Sequence, residues 1–232
     1  MRRGSNGAVI PAPVTRSLGR VPYEATRERM RTFTDDRTPE TPDEFWALEH
    51  DPVLTLGQAG KREHLLALTD IPVVQTDRGG QVTYHGPGQL VTYLMIDIRR
   101  LGVGVRSLVD GIEQAVIDLL DEFGIVGVAR RDAPGVYVDG RKIAALGLRV
   151  RRGCSYHGLS LNVDMDLSPF STINPCGYEG LEVTQLADLG VDEPLSSVSS
   201  RLVNQLLRQF GYPAHPQSIS APYGVTEGSH GR

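Results

Sequence analysis

The sequence predicts an α+β fold: one domain of mixed, mostly antiparallel β-sheets flanked by helices. Short strand-like runs follow one another through residues 45–56, 73–98 and 126–163. They do not alternate strictly with helices, as a doubly wound fold requires. Two longer stretches repeat apolar residues at three- and four-residue steps, the signature of helices with one buried face. The length, 232 residues, suits one large domain, and no linker composition divides it.

Residues 1–13 are polar and punctuated by Gly and Pro, and are expected to form a flexible arm ahead of a folded domain over 14–212. Tyr23 to about Phe33 suits a helix with Tyr23, Met30 and Phe33 near one face, broken by Thr38-Pro-Glu-Thr-Pro-Asp43. Phe45–Glu49 and Val53–Leu56 read as strands around Asp51-Pro52, followed by Val73–Thr76, Val82–Tyr84 and Leu90–Ile98. The clearest helix runs from Val105 to Phe123. Val105, Leu108, Val109, Ile112, Val116, Leu119, Leu120 and Phe123 share its apolar stripe, and Gly124 ends it. Val126–Ala129 and Gly135–Val138 are further strands. Asp139-Gly140 is a two-residue hairpin signal, with Lys142–Val150 returning. Ser155–Val163 is another strand, and Leu195–Phe210 a second amphipathic helix, opened by Pro194 and closed by Gly211. Residues 213–232 are poor in large apolar groups and are expected to be a disordered tail.

The hydrophobic fraction, 40%, and charged fraction, 22%, fit an ordinary soluble globular protein. A net charge of -4 argues against a nucleic-acid backbone binder. Arg149, Arg151 and Arg152 form a local basic patch, either a solvated strand end or a landing place for an acidic partner. No apolar run reaches membrane-spanning length, and no apolar segment follows the basic start as in a secretory signal. Cys154 and Cys176 do not make a disulfide framework, so a reducing cytoplasm with free thiols is expected.

The stretch Arg78-Gly-Gly-Gln-Val-Thr-Tyr-His-Gly-Pro-Gly-Gln-Leu90 brackets a β-prone run with the glycine pairs Gly79/Gly80 and Gly86/Gly88. It suits a hairpin with tight turns, or a surface where a ligand lies against main chain with Arg78, Thr83 and His85 in reach. Cys176, in Ile173-Asn-Pro-Cys-Gly177, is set on a loop, as a nucleophile or as a small buried hydrophobe. Cys154 reads as structural, though its basic neighbours would lower its pKa. Lys142 enters the run Ile-Ala-Ala-Leu-Gly-Leu either as an exposed strand-end charge, the reading residue type favours, or as a partly buried amine. His85 and His157 with two cysteines lack zinc-ligand spacing, and neither a phosphate loop nor a nucleophile elbow occurs. No metal and no cofactor is expected.

Together the blocks Arg78–Leu90, Lys142-Ile-Ala-Ala-Leu-Gly-Leu-Arg149, His157-Gly-Leu-Ser-Leu-Asn162 and Ile173–Gly177 resemble the octanoyl transferases of lipoate biosynthesis, in the biotin/lipoate protein ligase superfamily. The resemblance extends from about Tyr23 to Phe210. It implies a biotin/lipoate ligase-like fold with a substrate tunnel, in which Cys176 carries the acyl group and Lys142 is its partner. It also implies that Arg78, Gly79, Gly80, Gln81, Val82, Thr83, Tyr84 and His85 line the bound acyl thioester, with Ala145, Leu146, Gly147, Gly158, Leu159 and Ser160. The implied donor is octanoyl-acyl carrier protein. The implied acceptors are lipoyl domains of 2-oxoacid dehydrogenase complexes and the glycine cleavage H protein, with no nucleic acid or membrane partner.

The chemistry asked of these residues is within their reach. A free thiol with a pKa of about 8.5 is little ionised at neutral pH, and a neighbouring ammonium raises the thiolate fraction. Main-chain N–H groups beside the glycines would stabilise a tetrahedral oxyanion, and each buried methylene of the chain contributes about 0.8 kcal/mol. His85 reads as a positioning or wall residue rather than the base. Two alternatives stand beside this reading: an ATP-dependent lipoate-protein ligase of the same fold, and a non-catalytic module binding carrier or lipoyl domains.

Overall fold

The computed structural model describes residues 10–175, 180–214 and 216–219. In chain order the strands are β1 (Val14–Val21), β2 (Glu44–His50), β3 (Val53–Leu56), β4 (Val73–Gln75), β5 (Val82–His85), β6 (Gln89–Met95), β7 (Val128–Ala129), β8 (Gly135–Val138), β9 (Arg141–Arg151), β10 (Cys154–Asn162) and β11 (Gln217–Ile219). The helices are α1 (Tyr23–Asp35), α2 (Ile98–Leu101), α3 (Val105–Asp121) and α4 (Leu195–Phe210). Eight strands form one sheet in the order β11-β1-β2-β6-β10-β9-β8-β7, and β4-β3-β5 form a second, smaller one. Pairing in the large sheet is antiparallel except at β1, which runs parallel to both β11 and β2. In the small sheet β3 pairs parallel with β4 and antiparallel with β5. The α+β, mostly antiparallel expectation holds.

The two-residue period of strands decides how the layers pack. On β2, Phe45 and Ala47 join the core under α3 and α4, whereas Trp46 and Leu48 face the core beneath α1. On β6, Leu90 and Leu94 take the first side and Val91, Tyr93 and Met95 the second. These central strands are buried on both faces, which explains their nearly continuous apolar runs. Leu108, Ile112, Val116, Leu119 and Leu120 of α3 meet Val198, Leu202, Leu206 and Phe210 of α4 in the first core. A third cluster joins Leu54, Leu56, Val82 and Tyr84 of the small sheet to Met165, Phe170 and Ile173.

Asp139 and Gly140 both have positive φ, 49° and 79°, and close the β8–β9 hairpin across Val138 and Arg141 as their sequence demands. Four features depart from expectation. β1 was not foreseen, because its sequence lacks a clean two-residue apolar period, and pairing on both sides is what orders it. Within the stretch expected to be a tail, Gln217–Ile219 pairs with Val14–Arg16. Within the stretch expected to be a flexible arm, Ile10 is buried in the core. The strand expected to run to Ile98 ends at Met95, because the Asp97 carboxylate accepts hydrogen bonds from the Arg99 and Arg100 amides and starts α2.

Candidate functional site

Between the two sheets lies a cleft. The small sheet contributes Val82, Thr83 and His85 of β5, and the connection leading into it Arg78, Gly80 and Gln81; the large sheet contributes Ala145, Leu146, Gly147, Gly158, Leu159 and Ser160. Of the residues expected from the sequence, twelve therefore line one cleft. Gly79 and Tyr84 do not: the Gly79 amide donates to Leu148 O at 2.9 Å, and the Tyr84 ring turns to the small-sheet core, edge-on to Phe170. Thr83, Ala145 and Ser160 also line an adjoining cavity, whose walls include Lys142, Asn162 and Pro175. The cleft thus adjoins a cavity that Lys142 helps to line.

Lys142 is only 3% exposed, so the buried alternative holds and the exposed strand-end reading does not. Its Nζ donates to Pro134 O at 3.1 Å and sits 5.1 Å from the centroid of the Tyr137 ring. Its backbone pairs with the segment following residues 176–179: Lys142 N donates to Glu182 O, and Thr184 N donates to Lys142 O. Cys176 itself lies outside the described residues. The chain just before it is tied down: Asn174 N donates to His64 O at 2.9 Å, and Pro175 lines the same cavity as Lys142.

Arg78 is 8% exposed and is clamped rather than free to sweep the cleft. Its Nη2 donates to Thr55 O at 2.7 Å and Thr55 Oγ1 at 2.8 Å, and its Nη1 donates to Gly79 O at 2.9 Å. Gly158 answers a packing demand: a Cβ there would lie 2.0 Å from the Thr92 carbonyl oxygen on β6. Close pairing of β10 on β6 requires glycine at this point.

Further lining residues, Tyr23, Val91, Tyr93 and His157, were not foreseen. The alternation along β6 was a usable signal for Val91 and Tyr93; nothing local marked Tyr23. His157 combines near-complete burial with a φ of 61°, an uncommon backbone for a residue other than glycine. Its Nε2 donates to Asp77 Oδ1 at 2.9 Å, and Tyr156 donates to the other oxygen of the same carboxylate. Those two bonds hold the Asp77 carboxyl well below the usual carboxylate range. Burial pushes the His157 imidazole down despite Asp77, and its Nδ1 has no partner among the described residues.

His85 and His50 are neutral for the same reason. Burial is the main cause that lowers His85 to about 3, and proximity to His50 further penalises a proton there. Its Nδ1 donates to Gln89 Oε1 at 2.7 Å, and Gln89 in turn donates to Asn162 Oδ1 at 3.0 Å. Burial lowers His50 to about 4. Because His50 Nδ1 must donate to the Val21 carbonyl, its Nε2 accepts from the Tyr93 hydroxyl at 2.7 Å. The expected lowering of Cys154 by basic neighbours is not observed. Burial pushes that thiol up, outweighing Arg37 and Arg99. Of the basic patch, Arg151 pairs with Asp35 of α1 at 3.0 Å, and Arg149 donates to Gln58 Oε1 at 2.8 Å. Among the described residues no helix is long and apolar enough to cross a membrane.

A family model described as the lipoyl protein ligase A/B catalytic domain matches residues 22–207. The octanoyltransferase of Pseudomonas entomophila (strain L48) is 64% identical over 197 residues, covering 85% of this chain and 92% of that protein. The octanoyltransferase of Cellvibrio japonicus (strain Ueda107) is 61% identical over 206 residues, covering 88% and 96%. In three dimensions the bipartite lipoate protein ligase of Thermoplasma acidophilum superimposes with a TM-score of 0.71 at 17% identity, over 91% of this chain and 88% of that one. That likeness concerns the fold, whereas the sequence identities are far above what fold alone requires. The chain belongs to the lipoyl protein ligase A/B catalytic-domain family and, within it, to the octanoyltransferases.

Proposed function

We propose that this chain transfers an octanoyl group from octanoyl-acyl carrier protein to the ε-amine of a lysine on a lipoyl domain, through a thioester on Cys176. The observation that supports the site most directly is the shared cavity of Lys142 and Pro175, which has Thr83, Ala145 and Ser160 as walls in common with the cleft. A lipoyl-domain acceptor is supported by the octanoyltransferase relatives, and by the Thermoplasma acidophilum ligase being described together with its E2 lipoyl domain.

In the first half-reaction the Cys176 thiolate attacks the thioester carbonyl carbon. The carbon–sulfur bond to the carrier breaks, and the departing carrier thiolate takes up a proton. In the second, the neutral lysine amine of the acceptor attacks the Cys176 thioester, giving an amide and releasing the Cys176 sulfur. Thioester exchanges for thioester in the first step and becomes an amide in the second, so neither step calls for ATP. Lys142 stabilises the thiolate as an ammonium and relays the protons that leave and return. Arg78, His85 and the glycine-flanked strands shape the acyl slot.

The separating experiment supplies octanoyl-carrier protein without ATP in one reaction and free octanoate with ATP in another, each with an unmodified lipoyl domain. Octanoylated domain is expected only in the first. Product confined to the second would assign the chain to the ATP-dependent ligases.

A further inference from the structure

The chain contains two lysines, Lys61 and Lys142, against 22 arginines. Lys142 is buried while the Lys61 side chain is 66% exposed. Losing solvent is costly for an amine, so the groups that cradle it matter. Its Nζ donates to the carbonyl of Pro134, the middle residue of the loop Ala133-Pro134-Gly135. That loop is pinned at both ends by buried side chains. The Tyr137 hydroxyl donates to Ala133 O at 2.7 Å, and the Gly135 amide donates to Glu113 Oε1 at 2.8 Å.

Glu113 is out of place by the logic of its helix. It lies on α3 beside the apolar stripe of Leu108, Ile112, Ala115 and Val116, yet is only 3% exposed. A buried carboxylate needs a partner to offset its desolvation, and the Gly135 amide donates to it. Gly135 admits the amine as closely as it does because it has no side chain. Its φ is 143°, and a Cβ would lie 2.5 Å from Ala144 O, 3.1 Å from Lys142 Cε and 3.2 Å from Nζ. The charged and titratable groups around this cradle are Glu113, Arg106 and Asp110 on α3, and Tyr137 on β8, over whose ring Arg130 also packs.

We propose that Glu113 is a positioning residue for octanoyl transfer: by holding the Gly135 amide it aims the Pro134 carbonyl at Lys142 Nζ and fixes where the amine stands in the cavity. This rests on the reading of Lys142 as the partner of Cys176. Glu113 touches no substrate; it acts through the loop.

The test uses the full chain, labelled at the lysine ε-carbons, and compares wild type with Glu113→Ala and Glu113→Gln. Two lysine resonances are present, and Lys61 serves as the internal reference. Glu113→Ala is expected to shift or broaden the Lys142 resonance, leave Lys61 unmoved, and lower kcat by about tenfold with KM within about twofold. Glu113→Gln keeps an acceptor oxygen for the Gly135 amide and is expected to restore both the resonance and most of kcat. An unmoved Lys142 resonance in Glu113→Ala overturns the proposal, as does a Glu113→Gln no better than Glu113→Ala while both melt like wild type. Lys142→Ala separates the two claims. If it transfers octanoyl normally, the reading of Lys142 fails, whereas the lysine spectra still report on whether Glu113 places the amine.

Discussion

His50 and His85 are neutral imidazoles because burial outweighs their hydrogen bonds, with folded values of about 4 and 3. In the unfolded chain both titrate near about 6.5, so the unfolded state takes up protons that the folded state refuses. The sign follows: their stabilisation is complete above about pH 6.5 and is lost as pH falls through 4 toward 3. Thermal unfolding is expected to show Tm falling steadily below pH 6.5, with a shallower slope in His50→Gln; a slope unchanged by that substitution would contradict the burial argument. The two cysteines are expected to part company by the same physics. Cys154 is buried with its thiol pushed up, so it alkylates slowly at pH 7. Cys176→Ala is expected to reduce transfer by about three orders of magnitude or more, and Cys154→Ala to leave it within about threefold. Lys142→Ala is expected to slow alkylation of Cys176 at pH 7. Most of the cleft wall was legible because its blocks stand in family order, whereas residue type alone pointed Lys142 to solvent and the structure buries it. His157 with its Asp77 partner, and Glu113 with its loop, were not: contacts such as Glu113 to Gly135 join residues remote in the chain.

At the scale of elements, the helices were the most legible parts. The α4 range, expected from about Leu195 to Phe210, matches, because Pro194, the apolar stripe and Gly211 state its start, face and end together. Leu119→Ala on α3 is expected to cost about 2–5 kcal/mol, since that side chain is wholly buried in the core against α4 and the sheet. Strands were legible where they alternate or end in a signalled turn, as in the β8–β9 hairpin. The β9–β10 turn at Arg152-Gly153, with φ of 51° and 79°, has the same left-handed geometry without the Asp-Gly signal. Polar β1 escaped for want of any local pattern. The pairing of β10 with β6 provides a sharp test of the cleft wall. Gly158→Ala places a methyl 2.0 Å from Thr92 O and is expected to cost about 3 kcal/mol or more, measured by denaturant unfolding, with transfer lost in step.

The whole molecule is tied together by a buried ionic hub that no sequence pattern announces. Asp43 Oδ1 accepts from Arg37 and Arg100, each at 2.6 Å, and from the Asp97 amide at 2.8 Å; its Oδ2 accepts from the Tyr212 hydroxyl at 2.6 Å. One carboxylate thereby joins the segment before β2, the start of α2 and Tyr212, two residues past the end of α4. Asp43→Ala is expected to cost about 3–5 kcal/mol, because two guanidinium groups lose the charge that compensates their burial. An unfolding midpoint within error of wild type would show the hub to be idle. The fold class was legible as a whole because strands in runs and two amphipathic helices leave few ways to bury both; the hub and the β11–β1 pairing were not, since Asp43 reaches Asp97 and Arg100, 54 and 57 positions away, and Tyr212, 169 away, and Thr15 meets Ser218 203 positions away. The central claim, a Cys176 thioester, is tested most directly by intact mass spectrometry after incubation with octanoyl-carrier protein alone. One added octanoyl group, mapped to the Cys176 peptide, discharged by an unmodified lipoyl domain and absent from Cys176→Ala, is the predicted result. Transfer proceeding with no adduct, or with the adduct on another residue, would contradict it.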